Sequence, residues 1–154
     1  MKLSSKGRYA VRALFDIAFY NQGQPTQVKD IAERQSIPQR FLEQIFQDLK
    51  RAGVVGSKRG PQGGYLLARA AAEIPLGEVI EIIEGPVALG EGQGGTRRAD
   101  SLAADGLRVT DSVLDEISAQ VSACLHQVTI ADLCDKAHAL GIRRPGTESY
   151  VYSI

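Results

Sequence analysis

Residues 26–67, TQVKDIAERQSIPQRFLEQIFQDLKRAGVVGSKRGPQGGYLL, decide the fold of this chain. Apolar residues at helical spacing predict a short helix over residues 27–35, with Thr26 as its N-terminal cap. A tight turn at Ser36 and Ile37 separates this helix from a longer one. Pro38 suits the first position of the longer helix, because the N–H that proline lacks has no intrahelical partner there. The sequence therefore predicts two consecutive helices joined by a tight turn.

Two β-prone segments, residues 54–59 and 65–68, come after these helices and flank a glycine-rich turn, which predicts a hairpin. Further helices are predicted over residues 5–21 and 76–84. A short helix, a turn, a longer helix and a hairpin, in this order, are typical of a winged helix-turn-helix domain. We assign this domain to residues 1–85. The predicted fold class is mainly α with one small β-hairpin.

The remainder of the chain is predicted to hold a long dimerisation helix. Residues 86–106 are rich in glycine and are predicted to form a loop. The helix predicted over residues 107–126 carries an apolar stripe in which each member lies four residues after the last: Val109, Val113, Ile117, Val121 and Leu125. The stripe could pack on its own domain, but few other elements lie near it in the sequence. We therefore expect the same helix of a second chain to cover it in a two-fold dimer.

A last helix is predicted to follow the dimerisation helix. Thr129 can cap it, and Asp132 stands at the position that completes a capping box. Gly141 ends this helix, so that the dimerisation helices occupy residues 107–141. Residues 142–154 show no regular pattern and are predicted to form an irregular tail.

The formal net charge of zero hides an asymmetry between the two halves of the chain. Residues 1–69 hold 12 Lys and Arg against 5 Asp and Glu, a net charge of +7, whereas residues 70–154 hold 6 against 13, a net charge of −7. A strongly basic N-terminal half indicates binding to a polyanion, while the acidic half has another role.

The outward side of the longer helix of the pair offers candidate contacts to bases: Gln39, Arg40, Glu43 and Gln44. Gln can bond adenine through two hydrogen bonds, and Glu can accept from the amino group of cytosine. An ordinary solvated helix would also be polar on this side. The polar residues alone therefore do not decide the function.

The residues of the hairpin turn favour DNA binding over an ordinary solvated surface. Lys58 and Arg59 stand beside Gly60 and Pro61 in a narrow turn that could approach a minor groove, which an arginine can enter. The alternative is a plain hairpin turn with incidental charges. A nucleotide-binding phosphate loop is excluded, because no Gly-Lys-Ser/Thr follows and strands flank the turn.

The motifs of the chain resemble those of the IscR/NsrR/CymR family of bacterial regulators over nearly the whole length. The matching stretches are MKLSSKGRYA (1–10), FLEQ (41–44), RGPQGGYLL (59–67) and TIADL (129–133). The resemblance implies a dimer whose long C-terminal helices cross and whose two wings grip a palindrome. It also implies that Glu43 and Gln44 read the major groove, that Arg59 enters the minor groove, and that Arg8 and Tyr9 lie close to phosphates.

The chain departs from this family in the loop that carries an iron–sulfur cluster in many members. The resemblance implies three cysteines in residues 86–106, yet this segment contains neither cysteine nor histidine. Iron–sulfur clusters are held mostly by thiolates. We therefore expect no cluster and no other cofactor or metal. The chain is similar in this respect to members that respond to a protein partner or a small ligand, and we expect residues 86–106 to form the sensing loop.

The two cysteines, Cys124 and Cys134, are expected to be small buried apolar residues, and His138 is expected to have no partner. Two cysteines form no disulfide framework, and no stretch reaches the length of a membrane span. We therefore expect a cytoplasmic protein without membrane contact.

The sequence thus predicts a homodimeric regulator that binds double-stranded DNA at a palindromic operator. An alternative is a protein-interaction module whose acidic half binds an enzyme, with DNA binding secondary. A shift of a palindromic fragment at moderate salt would distinguish the two. An enzyme is disfavoured, because the sequence contains no nucleophile–base pair, paired carboxylates or metal-ligand spacing.

Overall fold

The computed structural model describes residues 2–90 and 102–145 of the chain. In chain order its elements are α1 (Ser5–Asn21), α2 (Val28–Gln35), α3 (Gln39–Arg51), β1 (Val55–Lys58), β2 (Gly64–Leu67), a single 3-10 turn (Ala71–Glu73), α4 (Leu76–Glu84), α5 (Leu102–Gln127) and α6 (Ile130–Ala139). The mainly helical architecture with one small hairpin confirms the predicted fold class.

One hydrophobic core lies where α1, α2, α3 and the hairpin meet. Helix α1 begins after Ser4, whose hydroxyl accepts a hydrogen bond from the N–H of Gly7, and it ends where Gln22 takes a left-handed conformation. The fully buried side chains recur at helical spacing on α1 and α3: Ala10, Leu14, Ile17, Leu42, Ile45, Phe46 and Leu49. Helix α2 adds Ile31. Burying a large apolar side chain contributes about 1.5–3 kcal/mol, so this cluster fixes the helices relative to one another.

The turn between α2 and α3 is tight, as predicted. Ser36 adopts a left-handed φ of 51°, and the side chain of Ile37 is buried in the core. The predicted cap by Thr26 is wrong, because Gln27 directly precedes α2. The Thr26 hydroxyl instead donates to the Gln24 carbonyl at 3.0 Å. Thr26 is held away from the helix because its backbone pairs with the hairpin.

Strands β1 and β2 pair antiparallel, with Val55 opposite Leu67. The ring of Tyr65 stacks on Phe46 of α3, with ring centroids 4.4 Å apart and planes at 11°. The N–H of Thr26 donates to the carbonyl of Tyr65 at 2.8 Å, and the N–H of Tyr65 donates back to Thr26 at 2.9 Å. The hairpin is therefore attached both to α3 and to the residues that precede α2.

Helix α5 begins five residues earlier than predicted. Residues 102–106, expected in the loop, form its first turn, because a glycine such as Gly106 inside a long helix weakens it by only about 1 kcal/mol. Helix α5 also packs on α4 of its own chain. Ser122 donates to Glu81 at 2.8 Å, and the imidazole of His126 lies so close to Gly77 that a Cβ there would collide with it.

The capping box of α6 is confirmed. The Thr129 hydroxyl accepts from the N–H of Asp132, and the Asp132 carboxylate accepts from the N–H of Thr129 at 2.7 Å. Residues 140–145 complete the described part, and the remainder of the predicted tail lies outside the described residues. None of the described helices is both long and apolar enough to cross a membrane.

Candidate nucleic-acid interface

Helix α3 separates an apolar side from a polar one. Leu42, Ile45 and Phe46 are fully buried. All four candidate base contacts are exposed on the remaining surface of the helix: Gln39, Arg40, Glu43 and Gln44. Helix α3 therefore presents a row of donors and acceptors of the kind that reads base edges.

An aromatic contact joins the start of α1 to this surface. The rings of Tyr9 and Phe41 meet edge to face with centroids 6.3 Å apart. The guanidinium of Arg12 lies 6.0 Å from the Tyr9 centroid, and that of Arg40 lies 5.3 Å from the Phe41 centroid. An apolar residue such as Phe41 would ordinarily be buried, but 36% of its surface is exposed, because it packs sideways toward α1.

Arg8 is exposed on α1, adjacent to Tyr9 in the sequence. Among the described residues, its guanidinium forms a hydrogen bond only with the nearby Ser5 hydroxyl, at 3.4 Å. The Tyr9–Phe41 contact thus places the predicted phosphate-binding part of α1 beside the polar surface of α3.

The end of β1 and the turn that follows it expose two basic residues next to a Gly-Pro pair. Lys58, Arg59, Gly60 and Pro61 are all exposed. Within residues 2–90 and 102–145, Arg59 forms no hydrogen bond or ion pair, so its guanidinium is available to a ligand. A Cβ at Gly63 would collide with the carbonyl oxygen of Lys58. Glycine at that position is therefore what allows the turn to be so narrow.

Side-chain hydrogen bonds fix this turn relative to the helices. Gln27 donates to the carbonyl of Pro61 at 3.1 Å, at the tip of the turn. Lys50, in the last turn of α3, donates to the Ser57 hydroxyl of β1 at 2.7 Å. These two exposed hydrogen bonds, together with the stacking of Tyr65 on Phe46, attach the backbone of the turn to α2 and α3.

An ion pair between α1 and α2 supports the same surface. Asp16 is fully buried and accepts from Arg34, with the closest atoms 2.6 Å apart, and from the Gln35 amide at 2.8 Å. The hydrogen bond to Asp16 raises the pKa of Arg34 despite the burial that opposes it. Asp16 is fully buried whereas Arg34 is partly exposed, so Arg34 and Gln35 supply the hydrogen bonds that the buried carboxylate needs, and Asp16 thereby anchors α2, and through it the turn and α3.

Sequence reasoning missed this anchor. Asp16 is not among the candidate site residues predicted above. Its position on the buried side of a helix was the available signal, since a buried carboxylate needs a partner. Nothing local in the sequence identified Arg34 as that partner.

The predicted dimerisation stripe is partly solvent-exposed in the single chain. The exposed fractions of Val109, Val113 and Ile117 are 66%, 49% and 40%. Val121 and Leu125 are half-buried, because the C-terminal part of α5 lies near α4. The apolar surface available to a second chain therefore lies in the N-terminal two-thirds of α5.

A second apolar surface lies between α1 and α6. This groove has a volume of about 300 Å³, and its apolar lining includes Val11, Phe15, Leu133 and Leu140. Arg12 and Lys136 also line it and make its rim basic. On α5, Asp105 and Glu116 lie on the side of the helix that carries the exposed stripe, whereas Asp111 and Asp115 lie on the side that faces Gly90.

The cysteines and histidines do not form a metal site in the described ranges. No group of three or more His, Cys, Asp or Glu there could hold a metal ion. The expectation of a buried Cys124 is wrong, since it is exposed, whereas Cys134 is half-buried and its burial raises the pKa of the thiol. His138 has a neighbour that was not predicted, the ring of Phe19 at 5.1 Å. Two cysteines on separate helices do not fit an iron–sulfur cluster.

Comparisons with known proteins agree on one family. Residues 3–136 match the family Rrf2, described as "Iron-dependent Transcriptional regulator". The chain is 38% identical over 148 residues to the HTH-type transcriptional regulator IscR of Vibrio atlanticus, covering 92% of this chain and 80% of that protein. It is 36% identical over 144 residues to IscR of Escherichia coli, covering 92% and 85%.

Solved structures give the same result. The structure of T. potens IscR superposes with a TM-score of 0.73 at 34% identity, covering 94% of this chain and 93% of that one. CymR, described as the global cysteine regulator of B. subtilis, superposes with a TM-score of 0.68 at 29% identity, covering 88% and 98%.

Proposed function

Because the chain belongs to the Rrf2 family of transcriptional regulators, we propose that it binds a palindromic operator as a homodimer and reads its sequence directly. The observation that carries this proposal is the arrangement of α3 and the hairpin. The exposed polar side of α3 and the available guanidinium of Arg59 are held in one rigid unit by Gln27 and Lys50. DNA offers a major and a minor groove for such a pair of elements.

The two elements have different tasks in this proposal. Helix α3 enters the major groove, where Glu43 and Gln44 contact base edges. Arg59 enters the adjacent minor groove and responds to its width and negative potential. Arg8, Lys58 and the tyrosine hydroxyl of Tyr9 contact phosphates, which position the protein but carry no sequence information.

The homodimer supplies the two-fold symmetry that a palindrome requires. Val113 and Ile117 lie at the centre of the interface, where a second copy of α5 removes their exposed surface from water. The groove between α1 and α6 supports the second copy as a partner, since Arg12 and Lys136 at its rim can pair with Asp105 and Glu116, which lie on the same side of α5 as the stripe. Opposite charges at such rims favour one docking orientation over others.

The regulatory signal is a protein partner or small ligand rather than a cluster. Two contacts lie at the N-terminal edge of the segment that the sequence assigns to sensing, one within it and one at the end of α4 just before it. Leu89 donates its N–H to Ser118 of α5 at 3.0 Å, and Glu84 accepts from the N–H of Ser4 at 2.8 Å, at the start of α1. A ligand that moves this segment would therefore act on the dimer helix and on Arg8 and Tyr9.

Titration of a labelled palindromic duplex with purified protein tests the function. Phosphate contacts release counterions, so the affinity of a dimer with several such contacts should fall by about a hundredfold or more between 50 and 200 mM salt. Binding with this salt response supports the proposal. Absence of binding, or an affinity that does not change with salt, would contradict it.

A further inference from the structure

Gln39 and Glu43 lie four residues apart at the start of α3 and are joined by a hydrogen bond. Gln39 Nε2 donates to Glu43 Oε1 at 3.0 Å, and both side chains are exposed. An ionised carboxylate only accepts hydrogen bonds, so the amide must turn its nitrogen and not its oxygen toward Glu43. This bond leaves Gln39 Oε1 and Glu43 Oε2 as the acceptors that remain for DNA.

We propose that Gln39 and Glu43 read the operator as one unit, in which Gln39 positions the carboxylate of Glu43. The unit selects the strand that carries the amino-bearing bases, cytosine or adenine, at the positions that it faces. Glu43 Oε2 can accept from cytosine N4 or adenine N6, whereas guanine O6 and thymine O4 would meet it as acceptor against acceptor, so the carboxylate sets the preference while Gln39, which keeps one free N–H, holds it in place. The inference rests on the proposed function of α3.

The physical reason for coupling is conformational. A glutamate side chain on a solvated helix samples several rotamers, and holding it in one of them on DNA loses entropy. The hydrogen bond from Gln39 restricts Glu43 before DNA arrives, so less entropy is lost on binding. DNA binding also removes water from the Glu43 carboxylate. The N–H of Gln39 then supplies one oxygen with a hydrogen bond in place of the lost water.

Binding-site selection from randomised duplex DNA tests the unit, with sequencing as the readout of base preference at each position. Gln39→Met removes the donor but keeps the length of the side chain. Gln47→Met is the matched control, because Gln47 stands four residues on the other side of Glu43 and, among the described residues, forms no hydrogen bond with it. Gln39→Lys restores a donor to the carboxylate. Circular dichroism verifies that each variant is folded.

We expect Gln39→Met to reduce discrimination at the position read by Glu43 by about three- to tenfold, the range of one hydrogen bond. Gln47→Met should leave that position unchanged, and Gln39→Lys should restore it. In the Glu43→Ala background, Gln39→Met should have no further effect there, which is the signature of a coupled pair.

Two other outcomes would overturn the inference, and they differ in what else they contradict. If Glu43→Ala changes the preference but Gln39→Met does not, the two residues read independently and the proposed function stands. If no variant and no wild-type protein enriches any sequence, direct reading by α3 is itself wrong.

Discussion

Replacement of Ile117 by aspartate should separate folding from dimerisation. In the single chain 40% of the Ile117 surface is exposed, so the protomer can accommodate a carboxylate there with access to water. In a dimer closed over the stripe, each copy would bury one unpaired charge. At about 3 kcal/mol per buried carboxylate, two copies weaken the dimer by about 6 kcal/mol, which is about 10⁴-fold in its dissociation constant.

Sedimentation velocity at micromolar concentration measures this effect directly. Ile117→Asp should sediment as a folded monomer with an unchanged circular dichroism spectrum, whereas the wild type should sediment as a dimer. Ala119→Asp is the matched control, because residue 119 is exposed on α5 about 200° around the helix from Ile117. A dimer that survives Ile117→Asp, or a wild-type monomer, would refute the assigned interface.

Three further predictions concern the wing, a helix cap and iron. Arg59→Ala should weaken operator binding by about 1–3 kcal/mol per half-site, measured by fluorescence anisotropy. Arg51→Ala, at the far end of α3, is the control and should change the affinity much less. Equal effects of the two substitutions would argue against a special role for Arg59. Hydrogen bonds from the backbone and hydroxyl of Thr129 lower the pKa of Asp132. The stabilisation is therefore present above the ordinary carboxyl pKa and is lost as the pH falls through the lowered one. Thr129→Val removes the hydroxyl but keeps the backbone N–H, which is the larger cause, so the pKa of Asp132 should move part of the way back toward its ordinary value in an NMR titration. An unmoved pKa would show that the hydroxyl does not contribute. Protein purified without oxygen should contain no stoichiometric iron and should bind DNA equally well after exposure to an oxidant, and an iron–sulfur absorption spectrum would contradict this.

The helices whose signals lie within a few neighbouring residues could be predicted from the sequence. Helices α1 and α4 match their predicted bounds, because apolar spacing and nearby glycines define both of them. The capping box at Thr129 and Asp132 is a local pattern and was likewise predictable. The start of α5 was not predictable in this way. The glycine-rich composition of residues 86–106 indicated a loop, whereas a helix as long as α5 tolerates Gly106.

Contacts between segments that are distant in the sequence account for the other differences between the predicted and the observed roles of residues. Thr26 looks like a helix cap until its pairing with Tyr65, 39 positions later, is known. Phe41 looks like a core residue until α1 brings Tyr9 beside it. The support of the candidate interface by Asp16 and Arg34 depends on the packing of α1 against α2, which no single segment reveals. The exposed residues of α3 and of the turn were predictable because their polarity and their position in the pattern are local.

The spacing of selected half-sites tests the central claim most directly. Wild-type protein is used to select sequences from randomised duplex DNA, and the enriched sequences are aligned. Two α3 helices related by a two-fold axis should enrich an inverted repeat whose half-site centres lie about 10 base pairs apart, one helical turn, or a multiple of it. Enrichment of a single unrepeated motif, or of none, would contradict a dimer that reads a palindrome.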